Sequence, residues 1–297
     1  MKIGYFGDGN WAHQALELIN KESVIDIKFI CARFDNPDQV LKQKAYDLGI
    51  EFIFVKNVNS DEFIKKLKNY KCDLLVSMSF NQIFKESIIS MPKLGIINCH
   101  AGKLPLYRGR NVLNWVLIND EKEFGITVHY VDEGIDTGDI IIQEIYQIKD
   151  TDTYKTLLEK AYTECPKLLL KAIKKIINND VKSIDQKIIN DSYMYCSRRK
   201  EGDEIINWNS TSRELFNFVR ALSYPGPCAT TFIEKNPIKI IKSSLVNNAS
   251  KYIGIPGTVL EKNQNWFLVK TIDSYIKITE WDSSSNIYNG LRFSEGI

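Results

Sequence analysis

The 297-residue sequence has little of what several function classes need in quantity. Three histidines are too few for a histidine-rich metal cage. The six cysteines (Cys31, Cys72, Cys99, Cys165, Cys196 and Cys228) are scattered, with no Cys-x-x-Cys pair and no framework spacing. That excludes a disulfide scaffold and reads as reduced thiols of a cytoplasmic protein. No stretch approaches the roughly 18 uninterrupted apolar residues that span a bilayer, so no membrane partner is expected. Neither sign of charge dominates: 39 Lys+Arg against 37 Asp+Glu leave a net charge of +2. Such a balance argues against a chain that coats nucleic acid or an anionic membrane. At the N-terminus Lys2 and Asp8 flank an apolar run too short for a signal peptide, which reads as a first strand. What remains is globular, with 44% hydrophobic and 26% charged residues. The length suits one large domain or two ordinary ones, each with its own core.

Apolar runs and helical periodicity alternate through the first half. Strands are predicted over Lys2–Phe6, Asp26–Ala32, Glu51–Val55, Asp73–Met78 and Leu94–Asn98. Helices are predicted over Ala12–Ile19, Gln39–Leu48 and Ser60–Asn69, the last opened by a serine cap with Asp61 and Glu62 in its first turn. This rhythm implies βαβ units and an α/β, doubly wound, mostly parallel sheet. A loop over Ala101–Arg110, a helix over Asn111–Asn119 and strands over Ile126–Val131 and Ile140–Tyr146 follow. A long helix over Thr153–Asn178 comes next, with Pro166 expected to kink it. Asn179–Lys200 has little periodicity and reads as a linker. After it a helix over Thr211–Leu222 precedes several short strands, which suggests a small β-rich, OB-like domain. The division expected is 1–190 and 191–297.

Four groups of residues could carry chemistry. Gly7-x-Gly9-x-x-Ala12 lies between a strand and a helix, with Asp35 past the second strand. This is a permissive dinucleotide fingerprint. Trp11 occupies the loop a pyrophosphate would approach, so a substrate-binding turn is favoured over an NAD site. Asn98 and His100 end a predicted parallel strand, on the rim where open α/β sheets bind ligands, and alternation puts both on one side. An amide donor suits an oxyanion, and an imidazole suits proton transfer. Cys99 points the other way and is not read as a nucleophile. The acidic turn Asp132–Asp139 reads first as a turn former; it lacks the residue order and closing glutamate of an EF-hand. Arg198, Arg199 and Lys200 form a basic run suited either to solvent or to a pyrophosphate.

Taken together, Asn98-Cys99-His100, the following Leu104-Pro105-Leu106-Tyr107-Arg108-Gly109 and Asp132-Glu133-Gly134-Ile135-Asp136-Thr137-Gly138 resemble the formyltransferases that use N10-formyltetrahydrofolate. Residues 70–145 carry the resemblance most strongly, and Pro256-Gly257-Thr258-Val259 matches the start of that family's small β domain. The resemblance implies a Rossmann-like catalytic domain and a catalytic trio of Asn98, His100 and Asp136. In that scheme Asn98 stabilises the formyl oxygen. An imidazole, with a reference pKa of about 6.5, accepts the amine proton at His100, and Asp136 orients it. The resemblance also implies a folate held by Phe80, Gln82, Ile83 and Phe84 and by Val131, Asp132 and Gly134, with no metal. One departure is visible: the family often has serine two residues after the histidine, where this chain has Gly102.

Initiator tRNA, a nucleotide-linked amino sugar and water are the acceptors such chemistry allows. A tRNA reader should be strongly basic, which this chain is not. The segments around Trp11, Tyr195–Trp208 and Arg220–Pro227 are similar to the dTDP-amino-sugar N-formyltransferases. That similarity implies a dTDP-linked 3-amino- or 4-amino-dideoxyhexose for surface polysaccharide such as the O-antigen. It places Gly9, Trp11, Tyr107 and Arg108 at the sugar, Arg199 and Arg220 at the pyrophosphate and Tyr224 on the base. A cytoplasmic homodimer joined through C-terminal elements, with no nucleic-acid partner, is expected. Methionyl-tRNA formyltransferase and an NAD-dependent oxidoreductase are the alternatives.

Overall fold

The computed structural model describes residues 1–190 and 192–294. In chain order the first elements are β1 (Lys2–Gly7), α1 (Gly9–Asn20), β2 (Asp26–Ala32), α2 (Gln39–Asp47), β3 (Glu51–Phe54), α3 (Asp61–Tyr70), β4 (Leu74–Met78), α4 (Glu86–Ile89), β5 (Ile96–His100), β6 (Arg108–Gly109) and α5 (Val112–Ile118). They are followed by β7 (Glu123–Tyr130), β8 (Ile140–Gln147), α6 (Tyr154–Ile177), α7 (Gln186–Ile189), β9 (Tyr195–Cys196), α8 (Ser212–Leu222), β10 (Ala229–Ile233), β11 (Asn236–Ser244), β12 (Val259–Lys262), β13 (Phe267–Lys270) and β14 (Tyr275–Asp282). The chain forms two compact units. One comprises 1–109, 124–146 and 159–196; the other comprises 110–123, 147–158 and the residues from 197 onward.

The first unit is built on a seven-stranded sheet of order β3-β2-β1-β4-β5-β7-β8. β1 through β5 pair in parallel, and β7 joins β5 antiparallel. The parallel strands are apolar without alternation because both faces are covered: all of β4 and all but the first residue of β1 are buried. Chain order reverses at β1, between β2 and β4, and ligands gather beyond the carboxyl ends of strands at such a point. Phe6, Phe29, Phe63 and Phe84 pack edge to face in the core beneath. β5 runs two residues further than its apolar run, to His100. Pairing with β7 extends it, so Asn98 and His100 sit inside a strand with its backbone hydrogen-bonded.

α6 is one helix through Pro166. Asn179–Lys200, read as a linker, instead contributes α7, β9 and a two-bond bridge in which Ile140 and Ile184 exchange N–H···O contacts of 2.9 Å. Local periodicity carries no trace of these because each element is two to four residues long.

The second unit holds a five-stranded antiparallel sheet, β10-β11-β14-β13-β12. α8 packs against it through Leu215, Val219 and Leu222, in a core with Trp208, Phe267 and Phe293. A capping box opens α8: Thr211 accepts from the Glu214 N–H, and Glu214 accepts from the Thr211 N–H. α5 belongs to this unit, with the Asn114 amide donating to the Ala221 carbonyl at 2.7 Å. Among the described residues no helix is long and apolar enough to cross a membrane.

Candidate active site

The site begins with the register of two strands. β5 and β7 pair so that Asn98 lies opposite His129 and His100 opposite Thr127. Period-two alternation puts all four on one face, at the end of the sheet where the turn after β7 returns Asp136. The Asn98 amide donates to His129 Nε2 at 3.3 Å. Asp136 faces both rings: its Oδ2 lies 3.7 Å from His100 Nδ1, and its Oδ1 lies 3.5 Å from His129 Nε2. Oδ2 also accepts the Gly109 N–H at 2.8 Å.

Backbone carbonyls fix the tautomers of both rings, because a carbonyl only accepts. His100 Nε2 donates to Tyr107 O at 2.7 Å, and His129 Nδ1 donates to Tyr130 O at 2.7 Å. The remaining nitrogen of each neutral ring is therefore an acceptor beside the Asp136 carboxylate: His100 Nδ1 turns its lone pair toward it, and His129 Nε2 takes the Asn98 N–H. A proton arriving at His100 Nδ1 is held between ring and carboxylate. The cluster is built to accept a proton, and the second N–H of Asn98 is available to a developing oxyanion.

Burial by itself acts to raise the Asp136 carboxyl. The charge of a protonated His100, the hydrogen bond and charge of a protonated His129 and the Gly109 N–H outweigh it and hold the carboxyl well below the usual carboxylate range. A depressed carboxyl contributes stability that is present above its unfolded value, about 3.9, and is lost as pH falls through the folded value. The urea midpoint of the native chain is therefore expected to exceed that of Asp136→Asn at pH 7. The gap should shrink as pH is lowered below about 4; a gap constant between pH 7 and pH 3 would refute this linkage.

The neighbouring loop is held from β7 and β8. Thr127 Oγ1 donates to Gly102 O at 2.7 Å, and Gln143 Nε2 donates to Thr127 Oγ1 at 2.8 Å and Leu104 O at 3.0 Å. Gly102 is now explained: an added Cβ would lie 2.4 Å from His100 Nε2 and 2.5 Å from Tyr107 O. Where the family often carries serine, this chain needs glycine for the carbonyl to reach the imidazole. The acidic turn is also accounted for. Asp132 Oδ1 accepts the Gly134 N–H at 3.1 Å and the Thr137 hydroxyl, which is turn-forming work. Among the described residues no group of three or more His, Cys, Asp and Glu could hold a metal ion.

The residues expected at a folate lie on one loop and one turn. Phe80 stacks on Phe84, rings 5.8 Å apart, and Phe84 is buried in the core. Gln82 anchors the loop by donating to Val55 O and accepting the Val58 N–H, each at 2.9 Å. Ile83 is exposed, and Val131 packs against the same core. Asn81 Oδ1 on this loop is buried with no hydrogen-bond partner. An apolar edge beside an orphan acceptor fits a flat heteroaromatic ring rich in N–H donors.

The residues expected at a nucleotide sugar divide between the units. In the first unit Gly9 donates its N–H to Asp38 Oδ2 at 2.8 Å, and Trp11 packs on Tyr162 with rings 4.6 Å apart. Asp38 also meets His13 Nε2 at 2.7 Å, while Asp8 and Asp35 share Arg33. This turn spends its N–H on a carboxylate and is flanked by two more, so the geometry gives the dinucleotide reading no support. Tyr107 contributes its carbonyl. Arg108 donates to Gln186 Oε1 through Nε at 3.1 Å and Nη2 at 2.6 Å, and lies over the Tyr193 ring.

In the second unit Arg199 lies over Trp115 and Phe218 and donates to Asp203 O. Tyr224 is exposed. Arg220 is 5% exposed, with its guanidinium directed to Asn217 Oδ1 and to the carbonyls of Lys149 and Asp152. Its fork ties α8 to the chain ahead of α6, which leaves little of it for a phosphate.

Sequence reasoning missed His129, Thr127, Gln143 and Gln186. The signal for the first two was present as polar residues two apart within an apolar strand. Gln186 had none.

Residues 1–173 match the profile of the Formyl transferase family, and residues 199–296 that of the Formyl transferase C-terminal domain. The chain is 34% identical over 238 residues to the methionyl-tRNA formyltransferase of Thermodesulfovibrio yellowstonii, a span of 80% of this chain and 74% of that one. Among solved structures it is similar to WlaRD, a sugar 3N-formyl transferase determined with dTDP and 5-N-formyl-THF. The TM-score is 0.69 at 28% identity, covering 97% of this chain and 99% of that one. It is also similar to an N-formyltransferase from Helicobacter canadensis in complex with folinic acid and dTDP-3-aminofucose. There the TM-score is 0.68 at 26% identity, covering 95% of this chain and 100% of the other.

Proposed function

The chain belongs to the formyl transferase family, and we propose that it carries the formyl group of N10-formyltetrahydrofolate to the amine of a dTDP-linked 3-amino- or 4-amino-dideoxyhexose. It is an N-formyltransferase, as its family membership shows. The observation that carries the acceptor is the end-to-end likeness to two enzymes determined with dTDP or a dTDP-amino sugar. A net charge of +2 supports the same choice over tRNA, where phosphate contacts dominate affinity.

The folate donor supplies an activated formyl carbon. Phe80, Ile83 and Val131 would hold its ring, with Asn81 Oδ1 as a hydrogen-bond acceptor; the backbone of Asp132 and Gly134 would hold it from the turn. Asn98 donates to the formyl oxygen as negative charge grows there. The attacking amine passes its proton to the lone pair that His100 turns toward Asp136, and the carboxylate steadies the imidazolium. The proton leaves again on the departing N10 of the folate, so transfer consumes none. Gly9, Trp11, Tyr107 and Arg108 are assigned to the sugar side, Arg199 to the pyrophosphate and Tyr224 to the base, while Arg220, whose fork is already engaged, is left out of the assignment. The reading places the enzyme in the cytoplasm as a homodimer, making a sugar for surface polysaccharide such as the O-antigen.

The test is mass spectrometry of protein, N10-formyltetrahydrofolate and a panel of dTDP- and UDP-linked 3-amino and 4-amino sugars. One formyl group gained by a dTDP-amino sugar is the expected result. Formylation of methionyl-tRNA in place of every sugar would keep the chemistry and overturn the acceptor.

A further inference from the structure

Gln186 lies in the stretch that sequence periodicity leaves blank, yet it is 1% exposed. Its amide is fully engaged. Nε2 donates to the carbonyls of Asp136 at 2.9 Å and Gly138 at 2.8 Å, and Oε1 accepts both N–H contacts from Arg108. The Asp136 backbone it holds is left-handed, with φ of 53°, a conformation uncommon outside glycine that aspartate and asparagine adopt more readily than other residues. The contacts close a ring. Gln186 grips the Asp136 carbonyl, the Gly109 N–H grips the Asp136 carboxylate at 2.8 Å, and Arg108, next to Gly109 in the chain, returns to Gln186. The ring is anchored outside itself: Arg108 N donates to Met194 O at 2.9 Å, and the Ile140–Ile184 bridge fixes the chain two residues before Gln186.

From this ring we infer that Gln186 is a positioning residue: it holds the main chain of Asp136 so that the carboxylate faces both imidazoles, and it couples that carboxylate to Arg108. The inference rests on the formyl-transfer reading for its rate consequences, though not for its geometry. A buried glutamine with all its donors and acceptors used is costly to remove, because each abandoned partner is left unpaired. Methionine at this position keeps the length and deletes every hydrogen bond. Glutamate keeps the acceptor for Arg108 and deletes both donors to the carbonyls.

The test is a double-mutant cycle with Asp136→Asn. Gln186→Met is expected to lower kcat roughly tenfold in the native background and less than about twofold in the Asp136→Asn background. Gln186→Glu should also lower kcat, although its contact to Arg108 survives. Equal losses in both backgrounds would make Gln186 a purely structural residue and overturn the inference, as would full activity of either single variant. A second readout needs no acceptor. Exchange of the Gly109 amide, followed by NMR, should speed up about tenfold in Gln186→Met, with amides of the β10–β14 sheet unchanged. Unaltered Gly109 exchange would overturn the positioning role. If the native protein formylates no amine, the proposed function falls, while the exchange result still decides the role of Gln186.

Discussion

Asp136→Asn is expected to lower kcat for formyl transfer roughly a thousandfold while leaving the fold intact. The substitution is close to isosteric, and asparagine tolerates the left-handed backbone found at this position. The remaining carbonyl oxygen can still accept the Gly109 N–H. What disappears is the negative charge that faces His100 Nδ1 and His129 Nε2. The lone pair on His100 Nδ1 then meets a neutral amide, and an imidazolium formed there loses its counter-charge. The loss should fall on kcat far more than on KM for either substrate, because the charge matters only once the amine has begun to release its proton. Steady-state kinetics on the amino sugar that the mass-spectrometric panel identifies would decide it. A variant within tenfold of the native kcat would mean that proton acceptance lies elsewhere.

Gly102→Ser is expected to lower kcat about a hundredfold, even though it restores a residue common in the wider family. A Cβ at this position would sit 2.4 Å from Nε2 and 2.6 Å from Cδ2 of His100, and 2.5 Å from the Tyr107 carbonyl. One neighbour is main chain and the other is a buried ring held at Nε2 by the Tyr107 carbonyl, so neither yields as the tip of a long side chain would. Displacing either breaks the 2.7 Å contact that fixes the His100 tautomer. The added hydroxyl does nothing to relieve either close contact. Gly102→Ala should behave similarly, which separates the space argument from any effect of the hydroxyl. Native-like kinetics in both variants would show that the loop adjusts freely and that the His100–Tyr107 contact is dispensable.

Both predictions turn on residues whose importance was unevenly legible. Asn98, His100 and Asp136 were legible as a trio through the resemblance of their motifs to a known family; residue type alone marked Asn98 and His100 as a polar pair at a strand end and left Asp136 as a turn former. Their partner His129 was equally polar and equally placed on a strand, but nothing local says which strand lies beside which. Only the pairing of β5 with β7 sets Asn98 opposite His129. Arg220 shows the converse. An arginine before a Pro/Gly turn suggests an anion site, whereas here it is a buried residue of α8 with carbonyl partners.

The sequence by itself determined the alternating strands and helices of the first half, the short strands of the last hundred residues and the motif that places the chain in its family. Those follow from periodicity and from which residue types a strand end or a turn tolerates, all of which act over a few positions. Tertiary structure alone decided the tautomers of the two histidines, the need for glycine at 102 and the clamp of Gln186 on Asp136. These depend on atoms brought together from 50 or more positions apart, such as Gln186 and Asp136, or from a carbonyl turned by its own backbone, as at Tyr107. Hydrogen bonds of this kind have strict distance and direction, and they leave no periodic trace in the chain.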